Sequence, residues 1–308
     1  MTSTKETLSE TRRLIHYTPL RYPGGKAKLA GFVKRILEEN DLQDGQYVEP
    51  FAGGAGIALE LLFHEYVSRI LINDICRPVY SFWKSVLDHT EPFLKLVRDT
   101  RLSVRSWDRQ KKIFSNPDDH DDLALGFATF FLNRTNRSGI LNGGIIGGRD
   151  QTGPWKIDAR YNADELGFRI ASVAKLRKRI SLSCEDALSF LGKRVGHMGK
   201  ALIYLDPPYY VKGKDLYDDY YTVDDHKKIS AFVTTRIRCE KWIVSYDNVE
   251  PIRRLYRGHP NIIYELGYSA REARRGSEIM FFQRGLIMPE PIGAMKALTV
   301  GSDRYEGV

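Results

Sequence analysis

Five short apolar runs, each with an acid at or near its end and each separated from the next by helix-period sequence, constrain this chain more than any other feature. They are "YVEPF" (47–51), "RILIND" (69–74), "ISLSCED" (180–186), "ALIYLD" (201–206) and "KWIVSYDN" (241–248). Runs apolar on both faces belong to strands covered by helices on either side. "NIIYELGYS" and "SEIMFFQRG" read as two closing strands joined by "AREARRG", and patterns such as "ADELGFRIASVAKLRKRI" and "DDHKKISAFVTTRI" read as the intervening helices. Strands alternating with helices predict an α/β fold with a mostly parallel, doubly wound sheet. In such sheets ligands bind outside the carboxyl ends of the strands. Glu49, Asp74, Asp186, Asp206 and Asp247 all stand near such ends.

The middle of the chain breaks the alternation. From about 78 to 135 the pattern is helical with no convincing strand, and it runs into the glycine-rich segment "NRTNRSGILNGGIIGGRDQTGPWK" (133–156). A loop of that length in a compact domain is functional or disordered. The expected division is a sheet domain in two pieces, 17–78 and 157–288, a helical insertion over 79–156, and tails at 1–16 and 289–308.

Charge and cysteines narrow the partners. The net charge of +8 favours a polyanion such as nucleic acid. Cys76, Cys184 and Cys239 lie far apart with no C-x-x-C pair, which suits reduced structural thiols rather than a zinc site. No apolar run approaches the roughly 18 residues of a spanning helix and no signal-peptide pattern opens the chain. A soluble cytoplasmic protein with no membrane partner and no metal is expected.

Three motifs carry chemistry. "PFAGGAG" (50–56) puts glycines where a strand turns into a helix, so that a nucleotide-type ligand can approach the backbone. Asp74 follows about 20 residues on, where an acid can hold two ribose hydroxyls. The dinucleotide fingerprint G-x-G-x-x-G is not met, because Leu59 occupies the third glycine position, and no P-loop pattern occurs. "RYPGGK" (21–26) is a second glycine turn, in which Tyr22 can cover a ring or a sulfonium and Lys26 can bind a carboxylate. In "YLDPPYY" (204–210) two prolines forbid both a continuing strand and an immediate helix. An acid and proline carbonyls in a rigid turn offer acceptors to an aromatic amine, whose lone pair is freed when its protons are held. Tyr209 supplies a stacking face for the base. The same physics serves adenine or cytosine, in DNA or RNA. A nicotinamide oxidoreductase and a non-catalytic DNA-binding module are the other readings of the chain.

Taken together these residues resemble the Dam-type DNA adenine methyltransferases over about residues 17–285, with the elements in that family's order. "RYPGGK" is similar to the family's aromatic-x-G-G-K motif, "EPFAGGAG" to its F-x-G-x-G loop, and "DPPY" to its catalytic motif. The resemblance implies a Rossmann-like sheet that uses S-adenosylmethionine, with 79–156 as an inserted target-recognition domain. It implies methyl transfer to the exocyclic amine of an adenine flipped out of double-stranded DNA. Asp206, Pro207, Pro208 and Tyr209 are then catalytic. Tyr22, Pro23, Gly24, Lys26, Glu49, Phe51, Gly53, Gly54, Asp74, Asp186 and Asp206 bind the cofactor. Arg134, Asn136, Arg137, Asn142 and Arg149, with Arg271, Arg274 and Arg275 in the closing turn, contact DNA. The enzyme is expected to act as a monomer on DNA, and a cognate restriction or defence system is an admissible companion. Thr135, Asn136 and Arg137 stand where the family often carries an aromatic wedge, so no recognition sequence follows from the resemblance.

Overall fold

The structure is a computed structural model that describes residues 17–21, 26–210, 221–266, 277–293 and 295–301. Its centre is an eight-stranded sheet in the order β3-β2-β1-β4-β5-β7-β6-β8. The strands are β1 (Gln46–Glu49), β2 (Arg69–Asn73), β3 (Ile180–Ser183), β4 (Ala201–Leu205), β5 (Lys241–Asp247), β6 (Asn261–Leu266), β7 (Glu278–Phe282) and β8 (Met295–Gly301). The first five run parallel to one another, and β7 is inserted antiparallel between β5 and β6. All seven strands expected from the sequence are present. The tail expected from residue 289 is corrected: β8 lies there, pairing antiparallel with β6. Among its described side chains only Met295 is buried, while Leu298 and Val300 are half exposed. An edge strand of this kind carries no apolar alternation to read.

Helices cover both faces. On one face lie α1 (Ala30–Glu39), α2 (Gly56–Phe63), α3 (Arg77–Asp88), α4 (Thr90–Asp99), α6 (Asp122–Thr135) and α7 (Ala163–Lys175); α5 (Val104–Phe114) rides on α6. On the other lie α8 (Ala187–Gly192), α9 (Val223–Arg236) and α10 (Glu250–Leu255). The alternation of strand side chains divides the core accordingly. Tyr47, Ile70, Ile72, Leu202 and Ile243 join the first apolar cluster, and Val48, Leu71, Ile203, Trp242 and Val244 join the second.

The helices between β2 and β3 share the first cluster with the sheet. Phe82, Trp83, Phe93, Phe127, Phe130 and Phe131 are all buried in it, each worth about 1.5–3 kcal/mol of transfer from water. Helices α3 and α6 approach so closely that a Cβ on Gly126 would lie 2.4 Å from the Ser81 carbonyl oxygen. Asp121 caps α6 by accepting from the Ala124 amide at 2.8 Å. The helical segment is thereby clamped to the sheet rather than appended to it. Among the described residues no helix is long and apolar enough to cross a membrane.

Candidate active site

The strand order reverses between β1 and β4. The chain leaves β1 toward one edge of the sheet and β4 toward the other, which opens a crevice at their carboxyl ends. The glycine loop follows β1 and the DPPYY turn follows β4, so the two motifs converge although 150 residues separate them in sequence.

The glycine loop is braced from beneath. Gly53 and Ala55 both adopt left-handed conformations (φ 45° and 47°), which glycine enters freely and alanine only under constraint. The Gly53 amide donates to Asp74 Oδ2 at 2.8 Å, and Asp74 Oδ1 accepts from the Cys76 amide at 3.0 Å. Trp83 Nε1 donates to the Gly53 carbonyl at 2.8 Å, tying α3 to the loop. Buried Asn73 stitches the neighbouring turns together, donating to the Pro50 and Glu185 carbonyls and accepting from the Glu185 amide. Gly54 is buried, and half-buried Phe51 meets Tyr221 edge to face at 5.8 Å. Asp186 is exposed and caps α8 by accepting from the Ser189 amide at 2.9 Å.

Beside this loop lies a compact polar cluster. Lys26, in a 3-10 turn (Lys26–Leu29) leading into α1, places Nζ 2.5 Å from Glu278 Oε2 and 3.6 Å from Asp206 Oδ1. It also donates to the Tyr209 hydroxyl at 3.4 Å. The hydroxyls of Tyr209 and Tyr264 each donate to Glu278 at 2.9 Å. Ser245, on β5, donates to Asp206 Oδ1 at 2.7 Å. Pro207 is buried and Pro208 half-buried. Asp247 accepts from the Tyr210 amide at 2.9 Å, fixing the end of the turn.

The charges follow from burial and pairing. Burial pushes the Asp206 carboxyl up, against the pull of Lys26 and the Ser245 hydroxyl. Burial likewise opposes ionisation of Glu278, but Lys26 and the two tyrosine hydroxyls hold it below the usual carboxylate range. Lys26 is disfavoured by burial, yet Asp206, Tyr264 and Glu278 hold its ammonium well above the usual range. Glu49, expected at the cofactor, lies buried at the end of β1 and accepts from Tyr47 Oη at 3.0 Å. Burial raises its pKa to about 8, so at neutral pH it is mostly a neutral acid.

The expected DNA contacts divide into two groups. Arg137 and Asn142 are exposed, Asn142 accepting from Lys111 at 2.8 Å, and exposed Arg149 grips Asp108 through two bonds of 2.7 and 2.9 Å. Arg134 and Asn136 are corrected. Arg134 is buried and donates through Nε (2.7 Å) and Nη2 to the Pro19 carbonyl. Asn136 is fully buried, accepting from Trp107 Nε1 at 2.7 Å and donating to the Ile140 and Leu141 carbonyls. With Asn133, which pairs both ways with the Arg21 backbone, these residues clasp the chain that leads to Lys26. Tyr22, Pro23, Gly24, Arg271, Arg274 and Arg275 lie outside the described residues.

Glu278, Ser245, Tyr264 and Asn73 escaped the sequence reading. For Glu278 a signal existed: an acid opening an otherwise apolar run. An antiparallel strand begins where its parallel neighbours end, so its first residue, not its last, joins the site.

A family model described as D12 class N6 adenine-specific DNA methyltransferase matches residues 22–269. The Type II methyltransferase M.MjaIII of Methanocaldococcus jannaschii is 25% identical over 206 residues, covering 62% of this chain and 68% of that protein. Among solved structures, a conserved hypothetical protein of Streptococcus pyogenes overlaps at 13% identity, with 79% of this chain and 88% of that one covered and a TM-score of 0.32. The rRNA methyltransferase AviRa of Streptomyces viridochromogenes overlaps at 11% identity, with 85% and 86% covered and a TM-score of 0.35. Likeness at these TM-scores is too slight to bear on function.

Proposed function

This chain belongs to the D12 class of N6 adenine-specific DNA methyltransferases, and from that premise we propose that it methylates adenine at specific sites in double-stranded DNA, in the cytoplasm, with S-adenosylmethionine as donor and the target base flipped out of the duplex. The observation that carries the reading is the convergence of Asp206, Lys26 and Tyr209 beside the glycine loop at the switch point of the sheet.

The donor set suits S-adenosylmethionine. One ammonium, Lys26, faces two carboxylates, Asp206 and Glu278, so the cluster has room for a further cationic centre. Asp74 stands at the end of β2 for ribose hydroxyls, and Phe51 offers a half-buried ring. When bound, this cofactor supplies a methyl group activated by a positively charged sulfur.

The residues of the chain do the rest. Asp206 and the Pro207 carbonyl accept the two protons of the target amine, which draws the nitrogen toward tetrahedral geometry and frees its lone pair. Tyr209 stacks on the base, its hydroxyl anchored on Glu278. Flipping costs a few kcal/mol, and holding the reactants aligned lowers the barrier by about 7–11 kcal/mol in well-oriented systems. The surplus proton leaves after methylation by way of Asp206 to water.

Residues 79–156 serve target recognition in this reading, with Arg137, Asn142 and Arg149 on the DNA side, and Arg271, Arg274 and Arg275 at backbone phosphates. The relative named as a Type II methyltransferase supports a companion restriction enzyme. The test is incubation of purified protein with plasmid DNA and S-adenosylmethionine, followed by digestion and nucleoside mass spectrometry. N6-methyladenine is the expected product; methylcytosine, or plasmid DNA left unmodified, overturns the proposal.

A further inference from the structure

Lys26 has two carboxylates within reach and does not divide itself evenly between them. Its Nζ is 2.5 Å from Glu278 Oε2 but 3.6 Å from Asp206 Oδ1. Glu278 is held rigidly for that role, because its side chain is 10% exposed and accepts the hydroxyls of Tyr209 and Tyr264, both at 2.9 Å. Three donors converge on one carboxylate, which is the arrangement that keeps a buried acid ionised. Asp206, by contrast, has a side chain 24% exposed, and its Oδ1 accepts from the neutral Ser245 hydroxyl.

We propose that Glu278 is a positioning residue for methyl transfer: it draws the Lys26 ammonium away from Asp206 and so leaves the Asp206 carboxylate to accept the target amine. The proposal rests on the reading that Asp206 is that acceptor. A buried lysine with a single carboxylate beside it closes into a direct ion pair, because each charge lacks any better partner. Without the Glu278 charge, Lys26 turns to Asp206, and an oxygen committed to an ammonium is a poorer acceptor for an aromatic amine. Glu278 does not touch the reacting atoms; it acts through Lys26.

A double-mutant cycle on the full-length enzyme tests this, using Glu278→Gln, Lys26→Gln and the pair, each assayed for kcat, for KM toward DNA and for thermal midpoint. Affinity for S-adenosylhomocysteine is measured in parallel by calorimetry. Glu278→Gln keeps the shape and an acceptor but removes the charge. It is expected to lower kcat by about 30-fold while KM and the affinity for S-adenosylhomocysteine move less than about threefold. In the Lys26→Gln background the same substitution is expected to cost less than about threefold, since the ammonium it restrains is gone. Equal losses in both backgrounds, or a kcat near that of the parent, overturn the proposal, and so does a loss of kcat matched by loss of cofactor affinity. If Glu278→Gln does not fold, the cycle is run with Glu278→Asp, whose shorter reach weakens the hold on Lys26. About a fivefold loss is then expected, again confined to the Lys26 background. Asp206→Asn separates the two levels. Near-parent turnover in that variant removes the underlying reading, whereas an inactive Asp206→Asn beside an unimpaired Glu278→Gln removes only the role of Glu278.

Discussion

Ser245 donates its hydroxyl to Asp206 Oδ1 at 2.7 Å and stands 2.8 Å from the Tyr204 hydroxyl. With the serine proton committed to Asp206, Tyr204 is the donor of the second bond. A relay therefore runs from β4 through β5 to the Asp206 carboxylate, and it fixes which way that carboxylate points. Ser245→Ala is expected to lower kcat by about tenfold, the equivalent of one lost hydrogen bond to a charged group of about 1.4 kcal/mol. S-adenosylhomocysteine affinity should stay unchanged in calorimetry. An unchanged kcat would show that the relay does not orient Asp206.

Glu49 gives the protein a pH-dependent stability of predictable sign. Its pKa lies at about 8 in the folded chain against 4.5 for the ordinary group, so between those values the folded state holds a proton that the unfolded state has released. Stability must then fall as pH rises from about 4.5 to about 8, and level off above. Glu49→Gln keeps the hydrogen-bonding shape without an ionisable group. The expected result is a flatter profile of thermal midpoint against pH, with the variant above the parent at pH 8. Parallel profiles would mean that Glu49 titrates normally.

Arg134 and Arg137, three residues apart, are expected to fail in opposite ways. Arg137 is exposed, and Arg137→Ala should leave the thermal midpoint in place while weakening DNA binding and reducing the salt slope by about 1. Arg134→Ala leaves the Pro19 carbonyl without its donor and should cost about 1–3 kcal/mol of stability with the salt slope intact. Melting curves and binding titrations across salt concentrations read both.

Gly126→Ala tests the clamp between helices α3 and α6. The added methyl meets the Ser81 carbonyl at 2.4 Å and Ser85 Oγ at 2.5 Å, so the helices must part. A loss of about 1–3 kcal/mol is expected despite the better helix propensity of alanine. Because α3 carries Trp83 to the Gly53 carbonyl, affinity for S-adenosylhomocysteine should fall as well. A raised thermal midpoint would show that the helices are not in contact there.

The parallel strands and the motifs at their ends were legible because both are local. A run such as "ALIYLD" followed by "PPYY" declares a buried strand, its end and a rigid turn within ten residues. What the sequence hid was relational. Glu278 reaches the site only because β7 runs antiparallel between β5 and β6, and nothing in "SEIMFF" states a direction. Arg134 and Asn136 look like surface groups in a polar, glycine-rich segment, yet these two side chains turn inward to hold Pro19, Trp107 and the segment's own carbonyls. Burial of that kind depends on partners 115 and 29 residues away as well as on neighbours one turn along. β8 stayed unread because an edge strand with a single buried residue has no pattern to show.

The most direct test of the catalytic assignment is single-turnover methylation by Asp206→Asn, with N6-methyladenine counted in recovered DNA and duplex binding measured on the same preparation. Binding is expected to persist while turnover falls by at least about a thousandfold, the equivalent of about 4 kcal/mol of lost transition-state stabilisation. Methylation at near-parent rates with binding intact would contradict the assignment, and the amine would then have to find its acceptor elsewhere.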